Sequence, residues 1–193
     1  MLETHLIKNL HNMRNPEIIG LAKNRFVSAD LQMAIAKLRY RAAIEQLCYN
    51  DGLHHTVRDW VWSDECNRGY SFKCRLIGKG QYVDEPDKYF ELYENYSSAW
   101  TRSPWRLAET FLVFGGMYWN GGSATPAELL HKIYDDTRLM CKKLDSHWAY
   151  TDQYRFRRLA MHPNCDLKLA IKLSTCGIKQ VETTAFKKIV ELS

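Results

Sequence analysis

The chain has 193 residues, of which 46% are hydrophobic, 12% aromatic and 25% charged, the proportions of a folded globular protein and not of a disordered one. That length suits one hydrophobic core, so a single domain is expected, made of a helix-pair region (1–62), an insert (63–147) and a basic repeat-like region (148–193). No run reaches the roughly 20 apolar residues of a membrane span, and the opening residues lack a leader pattern, so a cytoplasmic protein with no membrane contact is expected.

The six cysteines, Cys48, Cys66, Cys74, Cys141, Cys165 and Cys176, are sparse for a chain of this size. Reduced thiols are the expectation, with Cys48, Cys141 and Cys176 buried in apolar stretches. The net charge of +5 is uneven: residues 137–193 carry 11 Lys or Arg against 5 Asp or Glu, and the rest of the chain is close to neutral. A basic segment of this kind can face a polyanion.

In chain order, residues 16–62 read as two short helix pairs. Ser28 and Asp30 can cap the second helix of the first pair, and Asp51-Gly52 breaks the chain inside the next. Residues 71–83, with Phe72, Cys74, Leu76 and Ile77 before Gly78-Lys79-Gly80 and Tyr82-Val83 after, read as a small β-hairpin. A helix then starts at Asp84-Glu85-Pro86-Asp87 and carries Tyr89, Phe90, Tyr93 and Tyr96. Pro104 opens another, through Trp105, Leu107, Phe111 and Leu112. Thr125 followed by Pro126 gives the clearest helix start in the chain, leading through Leu129, Leu130 and Ile133. The fold class expected is therefore mainly α, with stacked short helix pairs at both ends, a central aromatic-rich helical insert and one hairpin.

Three stretches align. Leu21-Ala22-Lys23-Asn24, Leu47-Cys48-Tyr49-Asn50 and Leu159-Ala160-Met161-His162 share an apolar residue three positions earlier, at Ile18, Ile44 and Phe156. Downstream, Val27, Leu53 and Cys165 align, as do Leu31, Val57 and Leu169, and then Ile35, Val61 and Leu173. The stretch from Tyr154 through Leu159-Ala160-Met161-His162-Pro163-Asn164 to Ser174 resembles a unit of the short HEAT-like α-repeats, in particular the leucine-rich-variant type. The likeness covers about 40 residues at the C-terminus and, more faintly, residues 16–62. It implies stacked helices that offer a binding surface, and it implies no activity. The long insert between the two ends departs from a regular repeat array.

Four groups of residues could carry chemistry. His55 and Asp59, four apart, would share a helix face as an acid/base pair. Cys141, His147, His162 and Cys165 are of zinc-binding types, with Cys66 and Cys74 as another pair, but neither set has a close Cys-x-x-Cys, so no metal is expected. Arg157 and His162 fit the R-x4-H spacing of the HEPN ribonucleases, and that resemblance implies an arginine and a histidine flanking a scissile phosphate. Finally Arg155, Arg157, Arg158, Lys168 and Lys172, with Arg102 and Arg106 from the insert, could hold a partner or a nucleic-acid backbone. The tryptophans Trp60, Trp62, Trp100, Trp105, Trp119 and Trp148 could add an aromatic recognition face.

No phosphate-binding glycine loop, nucleophile elbow or H-E-x-x-H is present, so neither a common nucleotide-dependent enzyme nor a cofactor is expected. Two functions are left. The first is a non-enzymatic adaptor, accessory protein or inhibitor that binds a protein or a nucleic acid. The second is a small RNA-directed hydrolase using His162 with Arg157, or His55 with Asp59.

Overall fold

The computed structural model describes residues 2–63, 70–95, 108–112, 121–143 and 150–193. The chain divides into two compact units, Met1–Gln81 and Tyr82–Ser193, and each is described by itself. No helix among the described residues is long and apolar enough to cross a membrane.

The first unit runs α1 (Leu2–Asn9), a 3-10 turn (Leu10–Asn12), α2 (Asn15–Lys23), α3 (Ala29–Lys37), α4 (Arg41–Cys48), α5 (His55–Trp62) and α6 (Tyr70–Lys79). Each short helix buries an i, i+4 apolar pair: Ile18 and Ala22 on α2, Leu31 and Ile35 on α3, Ile44 and Cys48 on α4, Val57 and Val61 on α5. Helices of eight or nine residues are marginal alone, so these faces hold only against one another. The first helices of the two pairs pack together, α2 on α4, and so do the second, α3 on α5, while α6 closes over α4 and α5. Stacked helix pairs are the result. Each fully buried Leu, Ile or Val adds about 1.5–3 kcal/mol of apolar transfer to the stack.

The hairpin expected at residues 71–83 is absent, because Tyr70–Lys79 is helix. Alternation of Phe72, Cys74 and Leu76 suggested a period of two, but Phe72 with Leu76, and Lys73 with Ile77, are also i, i+4 pairs, and all four are buried. Gly78-Lys79-Gly80 is not a hairpin turn. Gly80 has φ +83°, the Gly80 N–H donates to the Ile77 carbonyl at 2.9 Å, and the Gln81 N–H donates to the Leu76 carbonyl at 2.9 Å. That is a Schellman helix ending with glycine in the left-handed region.

The second unit runs α7 (Pro86–Asn95), a π-helical turn (Ala108–Leu112), a 3-10 turn (Gly121–Ala124), α8 (Ala127–Lys143), α9 (Tyr150–Met161), α10 (Leu167–Leu173) and α11 (Lys179–Leu192). Its core is aromatic. Tyr89, Tyr93 and Phe111 cluster, with the Tyr93 ring edge-on to Phe111 at 5.8 Å, and Tyr134 meets Phe156 edge-on at 5.3 Å. The Tyr93 hydroxyl donates to Asp136 at 2.9 Å, tying α7 to α8. The start at Thr125-Pro126 holds, but the Thr125 hydroxyl donates backwards, to the Phe111 carbonyl at 2.7 Å. At the C-terminal end α11 packs on both α9 and α10.

Candidate functional site

The three aligned stretches form one and the same turn. At Asn24, Asn50 and His162 the backbone N–H closes the first helix onto Leu21, Leu47 and Leu159, at 3.1, 3.0 and 3.2 Å. Two residues on, the N–H of Phe26, Gly52 and Asn164 donates back to the side chain, namely to Asn24 Oδ1 at 3.0 Å, Asn50 Oδ1 at 2.8 Å and His162 Nδ1 at 3.0 Å. Four residues on, Ser28, His54 and Asp166 each cap the second helix, accepting from Leu31, Thr56 and Leu169. His162 thus does with an imidazole what asparagine does in the other two copies, because Nδ1 can accept as an amide oxygen does.

Two of these side chains, Asn50 and His162, also clamp a neighbouring turn. Asn50 Nδ2 donates to the Ala22 carbonyl at 2.9 Å and the Asn24 carbonyl at 3.2 Å. His162 Nε2 donates to the Gly122 carbonyl at 2.6 Å, while Asn164 Nδ2 reaches the Ser123 and Thr125 carbonyls at 3.0 and 2.9 Å. Gln32, buried behind the first clamp, donates to the Val27 and Gly52 carbonyls at 3.1 and 2.8 Å and accepts from the His54 N–H at 2.9 Å. Gln32, Asn50 and His162 are buried and hydrogen-bonded, so their desolvation is offset while they fix the stacking register.

His162 has no exposed surface, and both ring nitrogens are engaged. Because the Asn164 N–H can only donate, Nδ1 is the unprotonated nitrogen and Nε2 carries the hydrogen. Burial pushes its pKa down to about 4, the Gly122 carbonyl opposes that, and Lys188 adds to it. The ring is neutral at physiological pH and committed to the turn. Burial likewise pushes the Cys165 thiol up to about 11, and its Sγ donates weakly to the Asp166 carbonyl at 3.8 Å.

The other candidates fall as follows. His55 and Asp59 are both exposed on α5; the His55 ring lies 4.2 Å from that of His54, and the Asp59 carboxylate takes the Arg58 guanidinium at 2.9 Å. Cys141 lies within α8, and His147 lies outside the described residues, as do Cys66, Arg102, Arg106, Trp100, Trp105, Trp119 and Trp148. Among the described residues no three His, Cys, Asp or Glu side chains gather as a metal site. Cys48, Cys74, Cys165 and Cys176 are buried free thiols.

The basic residues part company. Arg155 is buried, Arg158 donates to the Tyr154 hydroxyl at 3.0 Å, and Lys172 pairs with Asp135 at 3.2 Å. Arg157 and Lys168 stay exposed. Sequence reasoning missed His131, whose Nε2 lies 3.0 Å from Asp166, the residue that also caps α10. Spacing gave no signal for it, since the two are 35 residues apart. Asp166→Ala removes the cap and the bridge from α8 together, so the melting midpoint should fall by the equivalent of about 1–2 kcal/mol in a denaturant titration. An unchanged midpoint would show that neither contact forms.

The comparisons with known proteins are empty. No protein-family model, curated protein or solved structure matches the sequence.

Proposed function

We propose that the chain is a non-enzymatic accessory protein, an adaptor or inhibitor, that uses helix pairs of the HEAT-like kind to bind another protein. The observation that carries this reading is the open face of α11. In the first unit α4 packs on the first helix of the preceding pair, α2, and is covered on its other side by α6. In the second unit α11 packs on α9 in the same way, yet Phe186 and Val190, four apart on its outer side, are 57% and 78% exposed. A stripe of this kind is what a partner helix covers in a stacked array, and large exposed side chains of this type act as interface anchors. Lys179 and Lys187 lie on the same exposed side, which favours a partner with acidic residues.

The histidine that an RNA-directed hydrolase would use is a buried clamp, which also supports binding over catalysis. Arg155 is buried and Lys172 and Lys188 are ion-paired, which withdraws part of the basic charge from a nucleic-acid backbone. The test is capture from the native host with the whole chain immobilised, beside a Phe186→Glu, Val190→Glu double variant. One protein should be retained at near-equal molar amount by the wild type and lost by the variant. Equal retention by both, or cleavage of labelled RNA that His162→Ala abolishes, would overturn the reading.

A further inference from the structure

A notch of about 60 Å³ opens on the second unit between α9 and the start of α11, lined by Gln153, Tyr154, Arg157, Ile178, Gln180 and Val181. Its walls pair two amides, a phenol and a guanidinium with two aliphatic side chains, and no carboxylate lines it among the described residues. Every other arginine among the described residues has a hydrogen bond, an ion pair or a ring contact, from Arg14 on Glu17 and Arg25 over Phe26 to Arg138 on the Tyr134 hydroxyl and Arg158 on the Tyr154 hydroxyl. Arg157 alone among them has none, and it is the one that lines the notch.

We propose that this notch receives a single carboxylate from an acidic, apolar segment of a protein partner, with the Arg157 guanidinium as its counter-ion. The proposal rests on the reading of the chain as a protein-binding scaffold and names the chemistry of the partner. A guanidinium presents a planar fork that matches a carboxylate in two parallel hydrogen bonds, and Gln180 lines the same notch with an amide donor. Ile178 and Val181 give the aliphatic stem of a glutamate or the neighbouring apolar side chain a dry wall. A nucleic-acid backbone would need several free cations in a row. The notch is lined by one cation, Arg157, so a single anionic group matches it.

The test follows the Arg157 side-chain Nε–H resonance of the full chain by NMR against three probes. These are a short peptide alternating leucine and glutamate, the same peptide with glutamine for glutamate, and a short oligothymidylate. The glutamate peptide should move the Arg157 resonance saturably and the glutamine peptide should not. Arg157→Gln should weaken the glutamate peptide about tenfold, the scale of one lost charge-assisted pair. If the resonance stays still up to millimolar glutamate peptide, or moves only with oligothymidylate, the proposal fails. Should the peptide shift amides around Phe186 while Arg157 stays still, the scaffold reading survives and the notch is refuted.

Discussion

Lowering the pH from 7 to 4 will cost the folded chain about 3 kcal/mol through His162 alone. The sign follows from the direction of the shift. The folded-state pKa, about 4, lies below the ordinary 6.5, so the unfolded chain takes up a proton that the folded one refuses. The stabilisation is fully present above pH 6.5 and is lost as pH falls toward 4, since a protonated Nδ1 loses its bond from Asn164 and puts a charge in an apolar site. Denaturant titrations of the wild type and of His162→Asn at pH 7 and pH 4.5 separate this from the general loss of carboxylate interactions. Asparagine, which Asn50 supplies at the matching place, has no such proton, so the variant should show the shallower pH dependence. Parallel pH profiles in the two proteins would rule out the buried neutral ring. His162→Ala should cost about 1–3 kcal/mol even at pH 7, because the Gly122 carbonyl is then left buried without its partner and the Asn164 N–H loses its acceptor.

Gly52→Ala should destabilise the first unit by about 2–3 kcal/mol, the range of a steric clash in a packed site. A Cβ on Gly52 would stand 2.3 Å from the Arg25 carbonyl oxygen, backbone that has no rotamer to move aside. The close approach is the stacking contact itself, for the Asn50 clamp draws the two turns together by holding the Ala22 and Asn24 carbonyls. Gly20, which has open space around its Cβ position, is the control: Gly20→Ala in the exposed side of α2 should raise stability slightly, by about 0.5–1 kcal/mol. Thermal melts of the two variants give the comparison, and equal midpoints would mean that the two turns are not in contact.

The repeat was legible because its apolar positions do one job in all three copies: Leu31, Val57 and Leu169 are all buried, as are Ile35, Val61 and Leu173. The polar half of the repeat was harder to see. Asn24, Asn50 and His162 align in the sequence, but that an imidazole and an amide share a role depends on a backbone N–H two residues later, which no composition reveals. The hairpin misreading at residues 71–83 has the same root. Apolar residues at 72, 74, 76 and 77 satisfy both periods, and only the packing of α6 against α4 and α5 decides for the helix. Charge counting overstated the basic surface, since it weighs buried Arg155 and paired Lys172 equally with free Arg157. His131 escaped notice because its partner is distant in sequence.

His162 is a structural clamp of the turn and not a group open to substrate. Long-range proton–nitrogen NMR of the imidazole over pH 7 to 5 tests that most directly. Nδ1 should be unprotonated and Nε2 protonated across the range, with slow exchange of the Nε2 proton. A ring that titrates near its ordinary 6.5, or that carries its proton on Nδ1, would contradict the clamp role and return His162 to the list of residues available for chemistry.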